Sequence, residues 1–341
     1  MISLAADPRT ITAADFPGDA SRAEQWRFLL NYALLAPSEY NTQPWLFKVQ
    51  GDSLEFYADR SRQLPILDPQ NRELLISCGA ALLNLRLAMR HFGYREELEW
   101  FVYEDLSTPL VRLRFGPRVP ATPEEEQLFA AIPHRHTSRQ IYEDRPLPAR
   151  LLQSLCFCAE HEGVWLHIIQ EEKARQEVAQ LIVAGDRFQW ADQRFRQELA
   201  HWVRARGEQQ ADGLPGYAQA KGSLAGKSSP WIVRTFDLWR EEAERDQGLV
   251  VGAPVLLVLG TFSDTPGDWM MVGQAAECIL LRACAQGVQA SFVNQPVEVP
   301  SLRAWLAQIV GEAFPQLVIR LGYGAPALPT PRRSVQEVLL E

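Results

Sequence analysis

Gly79-Ala80-Ala81-Leu82-Leu83-Asn84-Leu85-Arg86-Leu87, running on to Gly93, has a counterpart 194 residues later in Gly273-Gln274-Ala275-Ala276-Glu277-Cys278-Ile279-Leu280-Leu281, running on to Gly287. Both read as helices that open on small residues and end on glycine, the residue that closes a helix in a left-handed turn. Two shorter matches keep the same order. Trp45-Leu46-Phe47-Lys48-Val49 and Trp165-Leu166-His167-Ile168-Ile169 are apolar strands at an offset of 120, and Arg112-Leu113-Arg114-Phe115-Gly116 pairs with Arg320-Leu321-Gly322-Tyr323-Gly324 at 208. Three matches in one order predict an internal duplication of an α+β unit.

The rise in offset from 120 to 194 places 74 extra residues between Ile169 and Gly273. That region holds charged helical stretches around a loop, Asp212 to Pro230, rich in Gly, Ser and Ala. Such a loop forms little core, so the segment from about 186 to 247 is expected to leave the fold. Two readings stay open: a helical lid that closes Trp231, Phe236 and Trp239 over a pocket, or an arm packed on the outside.

Composition bounds the partners. The 341 residues are 47% hydrophobic and carry 42 acidic against 34 basic side chains, a net charge of -8 without a basic block. Nucleic acid is therefore not expected as the main partner. No run approaches the ~20 continuous apolar residues of a membrane span. Met1 to Pro8 lacks the features of a signal peptide, which gives a cytoplasmic expectation. The five cysteines read as reduced core thiols, and Cys156, Cys158 and His161 match no common zinc spacing.

Two polar segments are candidates for ligand contact. Ala36-Pro37-Ser38-Glu39-Tyr40-Asn41-Thr42-Gln43-Pro44-Trp45 lies between a helix that Pro37 stops and a strand that Pro44 helps to start. Its Ser38, Asn41 and Gln43 either hydrogen-bond a planar heterocycle or satisfy their own backbone. His134-Arg135-His136-Thr137-Ser138-Arg139 offers guanidiniums and hydroxyls that suit a phosphate. On the opposite reading Arg135 faces water beside Glu143 or Asp144. Each half lacks the segment that the other has, so packing about a pseudo-twofold axis predicts one composite site and one degenerate site.

Pro-Ser-x-x-Asn-x-Gln-Pro-Trp at Pro37 to Trp45, the turn at Arg135 to Arg139, the two Gly-x-Ala helices and Leu321-Gly322-Tyr323 together resemble the flavin-dependent nitroreductase superfamily. The duplication, with Ile76-Ser77-Cys78-Gly79-Ala80-Ala81 and Pro331-Arg332-Arg333-Ser334-Val335, resembles its Acg-type branch. The resemblance spans about Glu24 to Val338. It implies an α+β fold of two tandem halves, 20–120 and 121–341, each a mostly antiparallel sheet flanked by helices. Together they would form a monomeric pseudo-dimer.

It further implies FMN as cofactor, with NADH or NADPH as electron donor. Arg135 and Thr137, with His136 beside them, would hold the ribityl phosphate, and Arg332 or Arg333 would complete the charge. Arg139 would reach the pyrimidine edge. Pro37, Ser38, Asn41 and Gln43 would come from the first half, and Asn294 and Gln295 would lie near the reactive flavin nitrogen. No side-chain nucleophile and no metal are implied. Two functions follow: hydride transfer to a nitro-aromatic, quinone or similar small acceptor, or non-catalytic flavin sequestration under a lid. Glu39 stands where such proteins usually carry a small hydroxyl residue.

Overall fold

The structure, a computed structural model, describes residues 7–101, 108–205, 210–216 and 230–341. Its strands are β1 (Trp45–Gln50), β2 (Ser53–Ala58), β3 (Tyr94–Trp100), β4 (Val111–Arg118), β5 (Trp165–Ile169), β6 (Val203–Arg204), β7 (Leu214–Pro215), β8 (Val255–Gly260), β9 (Gln289–Phe292) and β10 (Pro315–Gly322). The α-helices are α1 (Arg22–Ala33), α2 (Arg72–His91), α3 (Pro123–Ala131), α4 (Ala149–His161), α5 (Glu172–Ala191), α6 (Gln193–Trp202), α7 (Pro230–Thr235), α8 (Trp239–Val251), α9 (Pro266–Ala285), α10 (Gln295–Glu298), α11 (Pro300–Val310) and α12 (Val335–Val338).

The duplication is visible in the sheets. One has the order β1-β2-β4-β3 and the other β5-β8-β10-β9, and every pairing in both is antiparallel. Strand by strand the two orders are the same. α2 and α9, the helices of the 194-residue match, cross at the centre of the molecule. A Cβ on Gly79 would lie 2.1 Å from the Met270 carbonyl oxygen and 3.0 Å from the Gly273 Cα. A Cβ on Gly273 would lie 2.0 Å from the Ile76 oxygen and 2.8 Å from the Gly79 Cα. Ile76 and Met270 stand at the same offset as the two glycines, so the contact is self-complementary, as at a twofold interface. Glycine is required because only its bare Cα lets the helices approach this closely.

Each central helix is apolar over most of its surface and is sheathed on all sides, as such a helix must be. One core therefore runs through both units, with Trp26, Leu29, Trp45, Phe47 and Leu82 in the same cluster as Leu257, Met270, Ile279 and Ile319. The cysteines form no disulfide. Among the described residues no helix is long and apolar enough to cross a membrane.

The halves differ at one connection. β1 and β2 form a tight hairpin through Gly51 and Asp52, with Gly51 at φ 60°. The equivalent strands β5 and β8 are joined by residues 170–254, which hold α5 to α8 and the short β6–β7 pair. This excursion extends beyond both ends of the segment 186–247. Its helices on either side of the Asp212 to Pro230 loop build a hydrophobic cluster of their own. Trp190, Phe195, Leu199, Trp202, Leu214, Val233 and Leu238 pack together and against Leu64 and Leu67 of the first half. The Gly- and Ser-rich centre of the expected lid, 217–229, lies outside the described residues.

Candidate functional site

The loop after α1 is held in a costly shape. Tyr40, Asn41 and Gln43 all have positive φ, at 48°, 56° and 52°. Left-handed non-glycine residues cost on the order of 1 kcal/mol or more each, so the surroundings must over-determine the loop. Ser38 Oγ accepts from the Gln43 N–H at 2.9 Å. Asn41 Nδ2 donates to the carbonyls of Gly213 and Pro331, each at 3.1 Å. Gln43 Nε2 donates to the Ala211 carbonyl at 2.8 Å, and its Oε1 accepts from the Arg333 N–H at 2.8 Å. The loop is thus fastened to itself, to the excursion and to the C-terminal segment.

The basic turn is fastened to the second sheet. The Ser138 N–H donates to the Ala290 carbonyl of β9 at 2.8 Å, and Thr137 bridges the same residue. From β10, the fully buried Arg320 donates to the carbonyls of Ser138 and Gln140, each at 2.9 Å. Arg135 does not face water with Glu143 or Asp144. It is buried, with Nη2 donating to the Leu35 carbonyl at 3.0 Å and Nε 3.3 Å from Glu277 Oε1.

Loop and turn wall one cavity, about 220 Å³ of it open to the centre of a water molecule. Pro37, Ser38, Asn41, Arg135, His136, Thr137, Arg139, Asn294, Gln295 and Arg332 all reach it. Small residues of the crossing helices, Ser77 and Ala80 on α2 with Gly273 and Ala276 on α9, leave it room. Gln43 and Arg333 do not line it. Gln43 is fully buried, and Arg333 donates to the Gln43 carbonyl at 3.1 Å and to the Glu337 carbonyl at 2.7 Å. Both shape the loop from behind, because its left-handed turn points the Gln43 amide away from the cavity.

One side of the cavity has a surplus of positive charge. Burial, then Arg135, Arg332 and Arg9, hold the His136 imidazole down at about 4. Burial, then Arg135 and Arg9, pull Arg332 down to about 9. The carboxylate beside them is Glu277, itself fully buried and pushed up to about 7 by desolvation against the pull of Arg135. Two buried guanidiniums with crowded charge, Arg332 with an unpartnered Nε and Arg135 with its Nε in an ion pair to Glu277, are the chemistry that an oxyanion such as a phosphate satisfies.

The other side is acidic, which sequence reading missed. Carboxylate oxygens of Glu39, Glu73 and Glu298 all lie within 4.8 Å of one another. Glu277, on the cationic side, did carry a signal: it is a single acid within an otherwise largely apolar helical run.

The excursion closes this side. Asp186, Gln189 and Trp190 of α5, Phe195 and Leu199 of α6, and Leu214 all line the cavity. Gln189 Nε2 donates to Glu298 at 2.5 Å, and Gln295 Nε2 donates to Asp186 at 3.1 Å and Asp246 at 2.9 Å. Gln295 and Asn294 therefore have partners within the protein, since Asn294 Oδ1 accepts from the Val318 N–H at 3.0 Å. The expected cover by Trp231 and Phe236 is not seen. Those rings contact each other at 5.7 Å, remain about half exposed and do not reach the cavity, while Trp239 packs on the excursion's own core.

The position related by the 194-residue offset is filled. Ser77, Ala80 and Ala276 correspond to Met271, Gln274 and Leu82. Arg86 spans the space, donating to Gln274 at 2.5 Å, Glu96 at 2.8 Å and Glu162 at 3.2 Å.

Comparison with known proteins places this architecture. Rv3131 of Mycobacterium tuberculosis (strain ATCC 25618 / H37Rv), named as an NAD(P)H nitroreductase, is 30% identical over 333 residues, covering 93% of this chain and 91% of its own. The chain belongs to the NAD(P)H nitroreductase family. Two more distant relatives, also named as NAD(P)H nitroreductases, match this family member over most of its length. Acg of the same organism is 26% identical over 316 residues, 90% of this chain and 92% of that one. PigM of Serratia sp. (strain ATCC 39006) is 25% identical over 328 residues, 91% of each. No family model matches the chain. A solved nitroreductase with bound FMN from Desulfitobacterium hafniense DCB-2 aligns with a TM-score of 0.40 at 13% identity, covering 63% of this chain and 98% of that one.

Proposed function

We propose that this protein is an FMN-dependent NAD(P)H oxidoreductase of the nitroreductase type, active on a nitro-aromatic, quinone or similar small acceptor. The observation that carries the reading is the buried, mutually repelling pair of Arg135 and Arg332, the latter with an unpartnered Nε, on a cavity lined by small residues from both central helices. Arg135, Thr137 and Arg332 would hold the phosphate, and Arg139 the pyrimidine edge. Pro37, Ser38 and Asn41 would meet the ring and ribityl chain from the first half, with Asn294 and Gln295 on the opposite wall. Gln43 and Arg333 would fix the loop without touching the cofactor. When bound, FMN supplies the hydride chemistry, so no side-chain nucleophile is required.

One flavin per chain is proposed, because the offset-related position is blocked by Arg86, Gln274 and Leu82. A monomer would then suffice. Flavin sequestration is favoured by one observation: the excursion already walls the cavity with Trp190, Phe195 and Leu199. Anaerobic mixing with NADH and NADPH separates the two. Bleaching of flavin absorbance followed by reoxidation with a quinone supports the enzyme, and an unbleached flavin supports sequestration.

A further inference from the structure

The acidic side of the cavity offers nothing to a phosphate group. Its carboxylates come from four separate elements: Glu39 on the loop, Glu73 at the start of α2, Glu298 on α10 and Asp186 on α5. The first three have oxygens within 4.8 Å of one another. Two of the four carry buried, unpartnered oxygens. Glu73 Oε2 has no hydrogen-bond partner, and neither has Asp186 Oδ2, on side chains only 4% and 3% exposed.

The facing groups leave these carboxyl groups short of partners; burial holds Asp186 and Glu298 up at about 8, and a cation among them would draw them back to the charged form. Arg72 lies 3.0 Å from Glu73 and also donates to the Gln316 carbonyl, and Arg139 acts on Glu39. Gln189 and Gln295 donate neutral amide hydrogens to Glu298 and Asp186. On α8, Arg245 is already paired with both Glu242 and Asp246. Arg72, Arg139 and, from within its own ion pairs, Arg245 thus act on the four carboxyl groups, and Glu73 Oε2 and Asp186 Oδ2 are still left over.

We propose that the acceptor reduced in this cavity is a cation, with an ammonium or amidinium group placed among Glu39, Glu73, Glu298 and Asp186. This deepens the oxidoreductase reading and rests on it. An ammonium ion has three N–H donors and no acceptor, which is what unpartnered carboxylate oxygens lack. Oxygens each about 2.8 Å from one tetrahedral nitrogen stand about 4.6 Å apart, within the spacing found here. A neutral acceptor would leave the same oxygens unsatisfied, and specificity follows from that difference.

The test compares 4-nitrobenzylamine with 4-nitrobenzyl alcohol on the flavin-loaded full chain by calorimetry. The amine should bind at least about ten-fold more tightly, as expected for charge-assisted hydrogen bonds. Glu298→Gln should remove most of that preference while leaving the alcohol unchanged. Glu39→Gln, on the loop rather than on an α-helix, gives the same reading should Glu298→Gln fail to fold. Equal binding of the two compounds, or a preference that survives both substitutions, overturns the proposal. So does a divalent metal ion that resists dialysis and blocks the amine. Turnover separates the layers: equal reduction of both compounds removes the cation preference and keeps the oxidoreductase. Selective amine binding without any reduction keeps the preference and removes the oxidoreductase.

Discussion

Glu277→Gln should change stability in a pH-dependent way whose size follows from the surroundings of the side chain. Glu277 is fully buried on α9, and desolvation pushes its carboxyl from 4.5 up to about 7 against the attraction of Arg135. A carboxyl raised in the folded state contributes stability that is complete below its unfolded value and is lost as pH rises through the folded value. Wild type therefore loses this contribution between about 4.5 and about 7, in total on the order of 3 kcal/mol. Glutamine does not titrate and imitates the protonated acid. The two proteins should unfold at the same urea concentration near pH 4.5, and the variant should become the more stable by pH 8.5. Other titrating groups, such as Asp186 and Glu298, both raised to about 8 by burial, are common to both proteins and largely cancel in the difference. The assay is urea unfolding of the flavin-free chain across that range. A variant that is less stable than wild type by a constant amount at every pH would show that Glu277 acts as a hydrogen-bonding strut, and the charge reasoning would fail.

Arg135→Ala should weaken FMN retention by about ten- to a hundred-fold, since a charge-assisted hydrogen bond to phosphate contributes roughly 1.5 to 3 kcal/mol. Fluorescence titration reads this, and unchanged affinity contradicts the phosphate role. Gly79→Ala should destabilise the fold by about 1 to 3 kcal/mol or more, because its Cβ would lie 2.1 Å from the Met270 carbonyl oxygen where two helix backbones meet. An unshifted denaturation midpoint would mean that the helices do not cross there. Phe195→Ala should open the cavity wall and speed iodide quenching of flavin fluorescence. Quenching at the wild-type rate would place the excursion away from the flavin.

The duplication was legible because fold-defining glycines leave a pattern that survives divergence: Gly79 and Gly273 are fixed by mutual contact, and few other residues satisfy such contact. The Arg135 turn was legible as a cavity wall because its guanidiniums and hydroxyl groups lie within one short segment. What remained hidden depends on direction. Nothing in the order of Asn41, Thr42 and Gln43 shows that a positive φ at Gln43 turns its amide away from the cavity while Asn41 stays on the wall. Arg332 and Arg333 are adjacent and chemically alike, yet only one faces the cavity. The acidic side was invisible because Glu39, Glu73, Asp186 and Glu298 are scattered over 260 residues and meet only in the folded chain. The excursion's aromatic residues were judged by composition, and composition does not separate Trp190, which lines the cavity, from Trp231, which does not.

The ratio of flavin to protein in a fully loaded, monodisperse sample tests the fused pseudo-dimer most directly. The cavity joins the Ser38 loop to the Arg135 turn, while Arg86 and Gln274 fill the offset-related position. One FMN per 341-residue chain, released by denaturation and identified by its absorbance, is the predicted result. A ratio near two would mean that the blocked position also binds flavin. A ratio near zero after saturation and gel filtration would mean that the cationic cavity serves a different anion.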